Sequence, residues 1–272
     1  MKNIVNVVIC YYNSAEIIQY AKHMESLQES DQIMLVIVIN GASDGDFREL
    51  NTLHERLSLD FFIVTPEKNL GYMNGLTYGY KQYISKYGAA PRFVIMSNTD
   101  IAYEDKQFYS KLLRQNYAED VWCIGPSVYV KELDTYDNPV AYRRRTLREI
   151  NKLILKFQIP VFREFYVQAA KIKGKFIKRA KQHSAFVYEV HGCFFILRGE
   201  GIDNICREVY GPLMYSEETF IAELIYQNGK KIYYDSTLEI IHLEHSVTKH
   251  INLRKHADYL QESMQWIKKK FY

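Results

Sequence analysis

The chain has 272 residues, 47% of them hydrophobic and 25% charged, which supplies a sizeable core and excludes a disordered chain. Its net charge of +3 points to no class of partner, and Cys10, Cys123, Cys193 and Cys206 have neither CxxC pairing nor zinc spacing, so they read as reduced, buried thiols. No apolar run approaches the roughly 18 residues of a membrane span, and the opening MKNIVNVVICYYNS lacks a signal peptide's apolar region and cleavage site, so a cytoplasmic protein is expected.

The first half alternates strands and helices. Residues 4–10 form a β-branched run and predict a buried strand. Helical character over 14–28 is followed by a second strand, MLVIVI at 34–39, ended by Asn40-Gly41. A helix over 47–57, a strand over 61–64, and a helix over 72–87 ended by Gly88 come next. A fourth strand, FVIM at 93–96, runs into Ser97-Asn98-Thr99-Asp100. Apolar strands alternating with helices predict an α/β layer with a mainly parallel central sheet flanked by helices. In such sheets ligands sit beyond the carboxyl ends of the strands.

A basic segment follows. Residues 141–183 carry 13 Lys/Arg against Glu149 and Glu164, a local excess of +11 that leaves −8 on the rest of the chain. Interleaved apolar residues predict one or two basic amphipathic helices broken near Pro160. Two readings stand: a solvated helical insertion, or a contact with a membrane surface or an anionic acceptor. No nucleic-acid recognition motif accompanies the charge. Strand character returns over 186–197, followed by a helix over 217–227, strands over 231–234 and 237–242, and an amphipathic C-terminal helix over 253–272.

Four stretches carry candidate chemistry, and each has a structural reading beside the functional one. SNTD at 97–100 follows a strand, where a carboxylate is placed to hold a divalent cation; Asn-x-Asp is also ordinary turn sequence. Glu217-Glu218 opens a helix, where one carboxylate suits a general base or both suit the helix dipole, with Ser216 as cap. His242 and His245 end a strand, and their spacing puts them on opposite faces, so one of the two would face a metal. NLGYMNGLTYGY at 69–80 places glycines where backbone meets a bulky ligand, with a helix start that offers N–H groups to phosphate.

In order and spacing these motifs resemble the GT-A glycosyltransferases of family 2, in particular their rhamnosyltransferase-like members. VVICYYNSAE resembles the family's first strand and loop, INGASDGD its second-strand ending, and NLGYMNGLTYGY its Asn-x-Gly-aromatic loop. SNTD stands at the DxD-type motif, HGCFFILR at the strand before an Arg, and EETFIAELIYQNGKKIYYDSTLEIIH at the stretch from the Glu-Asp motif to a His. The likeness spans about 1–135 and 186–250, so a GT-A domain over 1–250 is expected, with the insertion at about 141–183 and a separate helix over 251–272.

The resemblance implies a nucleotide-diphosphate sugar as donor, a divalent metal (Mn or Mg), inversion, and a glycan or lipid-linked glycan as acceptor, in a cytoplasmic protein peripheral on the inner membrane face and engaged in bacterial surface polysaccharide or glycoconjugate synthesis. It assigns the metal to Asp100 and His242 and the base to Glu218. It assigns the donor nucleotide and diphosphate to Tyr11, Asn13, Asn40, Asp44, Asn69, Gly71, Asn98 and Thr99. Three positions depart from the family: Asn98 stands for the first Asp of DxD, Ile39 for an Asp at the base, and Phe220 for a second acid after the Glu pair. They leave open the alternative of a catalytically inactive nucleotide-binding or scaffold protein of the same fold.

Overall fold

The computed structural model describes residues 2–11, 14–41, 50, 53–55, 57–158, 168, 177–243 and 252–272. Its centre is a single sheet in the order β3-β2-β1-β4-β9-β6-β10-β5. The strands β1 (Ile4–Cys10), β2 (Ile33–Ile39), β3 (Asp60–Val64) and β4 (Phe93–Ser97) are parallel to one another. Every residue of β2 and β4 is buried, which is why they read as unbroken apolar runs rather than alternating ones.

Beyond β4 the sheet turns mixed. The strand β9 (Phe194–Arg198) runs antiparallel to β4 and to β6 (Val121–Val130), and β6 is parallel to β10 (Lys231–His242). Short strands β5 (Ile101–Ala102) and β8 (Ala185–Val187) pair antiparallel with β10, and β7 (Thr135–Tyr136) pairs with β6. The two strands expected over 231–234 and 237–242 are one strand with a register shift between Asp235 and Glu239, opposite Pro126 and Ser127. Pro126 has no N–H to give the ladder, and a bulge in the neighbour absorbs the break.

One face of the sheet packs against α1 (Ser14–Glu25) and α3 (Phe108–Arg114). The other is covered by α2 (Tyr72–Tyr87), α5 (Glu200–Arg207), α6 (Glu217–Gln227) and the end of α7 (Leu253–Phe271). The basic segment contributes α4 (Leu147–Gln158), whose buried Ile150 and Ile154 meet Met264 while Phe157 meets Ala257. The expected apolar face of that helix is therefore filled by α7. Of the helix expected over 47–57, the described residues include Leu50, which is helical, and a short 3-10 turn, Leu53–Glu55. No helix among the described residues is long and apolar enough to cross a membrane.

Candidate active site

The site begins where β4 ends. Ser97 is fully buried and its hydroxyl meets Asn6 Nδ2 at 3.1 Å and the Tyr20 hydroxyl at 2.9 Å. This fixes the point at which the chain leaves the sheet. Asn98 N then donates to Cys193 O (2.9 Å), and Thr99 Oγ1 to Glu16 Oε2 (3.1 Å) on α1. Asp100 follows, with its carbonyl held by Leu243 N at 2.9 Å. Through the β5–β10 pairing this brings the end of β10 alongside, and Asp100 Oδ2 lies 3.4 Å from His242 Nε2. Burial raises the Asp100 carboxyl, but the imidazole beside it, together with the Asn98 side chain and the backbone, leaves it below the ordinary carboxylate value.

Among the described residues, neither carboxylate oxygen of Asp100 accepts a hydrogen bond of regular geometry, and no three His, Cys, Asp or Glu side chains form a metal cluster. A buried carboxylate with unused lone pairs beside an imidazole fits Mn or Mg, with substrate phosphate and water completing the shell.

Glu218 reaches the same place from α6. Its Oε2 lies so close to Gly192 that a Cβ there would stand 3.0 Å from it, so a side chain at 192 would press on the carboxylate. On one side of Gly192, the His191 ring packs edge-on against His242 at 5.6 Å between centroids. On the other, Cys193 O holds the Asn98 amide. Asp100, His242 and Glu218, more than a hundred positions apart in the first case, thus border one turn, His191-Gly192-Cys193. Burial, with the charge of Glu189 second, pushes Glu218 up to about 7. Burial and the adjacent Glu218 push Glu217 to about 8.

Four of the residues assigned to the donor form a second cluster. Asn40 is buried, and its amide accepts from Leu70 N (2.8 Å) and donates to Gly71 O (2.9 Å). Asn69 Oδ1 accepts from Gly71 N (2.8 Å) and its Nδ2 reaches the Tyr11 hydroxyl (3.3 Å). Asn40 thus shapes the 69–71 loop, and the partly exposed Tyr11 and exposed Asn69 are the members that meet solvent. Gly71 has φ +76° and a Cβ there would fall 2.5 Å from Leu213 O. The helix start expected to greet a phosphate is partly used: Tyr72 N donates to Leu213 O at 2.8 Å. Asn13, Asp44 and His245 lie outside the described residues.

Three further features escaped the sequence. Ser216 does not cap α6 with its side chain; it and Tyr215 sit in left-handed backbone, φ +60° and +70°, at about 1–2 kcal/mol each for non-glycine residues. His191, whose Nδ1 accepts from Cys193 N at 3.1 Å, is pushed down to about 3 by burial and then by His242, so it is neutral with its proton on Nε2, 4.0 Å from Asp137 Oδ2. Burial raises Asp137. A lone His before Gly-Cys and a lone Asp before Asn-Pro carry no spacing signal that would have found them. Arg145 Nη1 pairs with buried Glu189 (2.5 Å), and Arg144 with fully buried Glu223 (2.9 Å).

No family model and no curated protein matches the chain. Among solved structures it is similar to a mannosyltransferase, PcManGT from Pyrobaculum calidifontis in complex with GDP-Man and Mn2+. That match has a TM-score of 0.56 at 12% identity, over 88% of this chain and 56% of that one. It is also similar to GalNAc-T7 with UDP, GalNAc and Mn2+, with a TM-score of 0.56 at 11% identity, over 90% of this chain and 44% of that one. The chain spans about half the length of these neighbours. Likeness at such identity is likeness of fold, and the mixed α/β sheet flanked by helices described above is the GT-A fold that these two glycosyltransferases share with this chain.

Proposed function

We propose that the chain is a glycosyltransferase of the family-2, rhamnosyltransferase-like kind, which moves a sugar from a nucleotide-diphosphate sugar to an acceptor hydroxyl with inversion. The observation that carries this reading is the convergence of Asp100, His242 and Glu218 on the His191-Gly192-Cys193 turn. The similar folds come from proteins solved with Mn2+ and a nucleotide or nucleotide-sugar, which supports the same donor class and metal here.

In the proposed step the acceptor oxygen forms a bond to the anomeric carbon as the bond from that carbon to the diphosphate breaks. The acceptor proton passes to Glu218, and the nucleoside diphosphate departs with the electron pair. A carboxylate raised to about 7 is half ionised near neutral pH and still basic enough to take a proton from an attacking hydroxyl, a contribution of about 10²–10⁴-fold. Asp100 and His242 would hold the cation, which when bound offsets the charge growing on the diphosphate. Tyr11, just past β1, and Asn69, on the loop shaped by Asn40 and Gly71, flank the donor at the solvent edge; Asn98 and Thr99 hold the Asp100 turn in place.

The departures at Ile39 and Phe220 fit this reading better than that of an inactive scaffold. Both side chains are buried, and Phe220 packs on Tyr210 and Trp266, so neither displaces a group from the site. We further propose a glycan or lipid-linked glycan acceptor in bacterial surface glycoconjugate synthesis, reached from the cytoplasm at the inner membrane face. The test is a nucleotide-sugar panel with and without Mn2+, read as transfer and as thermal stabilisation. Glu218→Gln should abolish transfer while still binding UDP or GDP. Full transfer by that variant would remove Glu218 from the role.

A further inference from the structure

Glu218 stands two residues past Ser216, the second of two consecutive non-glycine residues in left-handed backbone. A helix N-cap serine ordinarily sits in extended backbone and turns its hydroxyl onto the first helical N–H groups. Ser216 makes no such bond. Its Oγ points away, to Ser263 Oγ at 3.0 Å and Met264 Sδ at 3.4 Å on α7. Ser263 is fully buried and also donates to Leu260 O at 3.0 Å, which fixes its rotamer and leaves its lone pairs for Ser216.

A second contact secures the other turn residue. The Tyr215 hydroxyl meets His256 Nδ1 at 2.8 Å, with the two rings 4.7 Å apart. The carbonyl of Tyr215 accepts from the Tyr210 hydroxyl, and the Tyr210 ring lies 5.0 Å from Trp266 of α7. The helix itself is anchored by buried Ile267 and Phe271. Strained backbone persists only where its surroundings over-determine it, and here those surroundings are one face of α7.

We propose that Ser263 and His256, on the C-terminal helix, are positioning residues that lock the Tyr215–Ser216 turn and so aim the Glu218 carboxylate at the Gly192 turn. The inference rests on Glu218 being the base. It gives α7, which lies outside the stretches that carry the sequence resemblance, a part in the site. An α6 that began after a relaxed turn would rotate its first residues, and a base displaced by about 1 Å costs on the order of 100-fold in rate.

The test uses the full chain with Tyr215→Phe combined with Ser263→Ala, a pair that deletes both contacts and little volume. The first readout needs no donor: 13C NMR titration of the glutamate carboxyls. The groups facing Glu218 and its neighbour Glu217 are Glu189, Arg145, Tyr72, Cys193, Tyr210 and Tyr215. The Glu218 midpoint, near 7 in the wild type, should fall by about a unit or more as the freed carboxylate meets water. The second readout is the split of kinetic constants on the nucleotide-sugar that the panel selects. The kcat should fall on the order of 10- to 100-fold while KM for the donor stays within about twofold.

His256→Gln, which keeps an acceptor for the Tyr215 hydroxyl, should retain activity that His256→Phe loses, and this pair decides the matter if the double variant fails to fold. An unchanged midpoint with unchanged kcat overturns the proposal. So does a KM that rises as far as kcat falls, which would mean general damage to the pocket. A shifted midpoint alongside full transfer by Glu218→Gln keeps the lock and removes the base.

Discussion

Glu218 and Asp100 are carboxylates bordering one turn, yet their environments push them in opposite directions. Asp100 is buried beside an imidazole and falls below its ordinary value; Glu218, half-buried beside Glu189, rises to about 7. Opposed shifts of this kind separate a group kept as an anion from a group that exchanges a proton. For a base that must be ionised to act, the acid limb of kcat/KM should fall tenfold per pH unit below about 7. A limb near 4.5 would assign the proton to another group. Glu217 adds a stability effect with a definite sign. Its folded-state value of about 8 lies above the ordinary 4.5. The folded chain therefore keeps a proton that the unfolded chain releases. The stability this gives is complete below about 4.5 and is lost as pH rises through about 8. Glu217→Gln should accordingly unfold at a higher temperature than the wild type at pH 9, with the advantage gone at pH 4.

Elements were legible wherever one physical signal ruled them. The strands β1, β2 and β4 are buried on both faces and so are continuous apolar runs, and α2 begins at Tyr72 and ends at Gly88 as its sequence suggests. The strand β6 was missed because Gly125-Pro126 breaks its run like a turn, and only the bulge in β10 makes a proline tolerable there. The helices α3 and α5 have seven and eight residues, about two turns, too short for a period to emerge. The carboxylates proposed for the metal and the base were singled out by order and spacing, but His191, Asp137 and the strained turn were not, since contacts across the sheet create them. The loop before α2 offers a test at this scale. Gly71 combines φ +76° with a Cβ position 2.5 Å from Leu213 O, so Gly71→Ala should cost at least about 2 kcal/mol. Chemical unfolding measures it, and a cost near zero would mean the 69–71 loop moves freely of the 213 turn.

Across the molecule, part of the charge imbalance between residues 141–183 and the remainder is met within the fold, by four ion pairs among the described residues. Arg144 and Arg145 reach the buried Glu223 and Glu189, while Lys178 and Lys181 pair with Asp134 and Glu239. The two buried acids need those partners: Arg145→Met should cost about 3–5 kcal/mol, and adding Glu189→Gln should recover much of it. The outer stripe of α4 is another matter. Its inner face is covered by α7, yet Leu147 and Leu155 are 42% and 57% exposed, and Arg148 and Lys152 on the same side are exposed as well. Cations flanking exposed leucines on one face suit the surface of an anionic bilayer, where each cation contributes about 1 kcal/mol. Arg148→Glu with Lys152→Glu leaves the α4–α7 contact and the buried ion pairs intact, unlike deletion of the whole segment. If the acceptor is met at a membrane, this variant should bind phosphatidylserine vesicles at least about 30-fold more weakly in flotation at low salt. Its transfer to a water-soluble acceptor should be unchanged. Equal flotation of variant and wild type would remove α4 from any membrane contact and leave it as a brace for α7, and through α7 for the turn that carries Glu218.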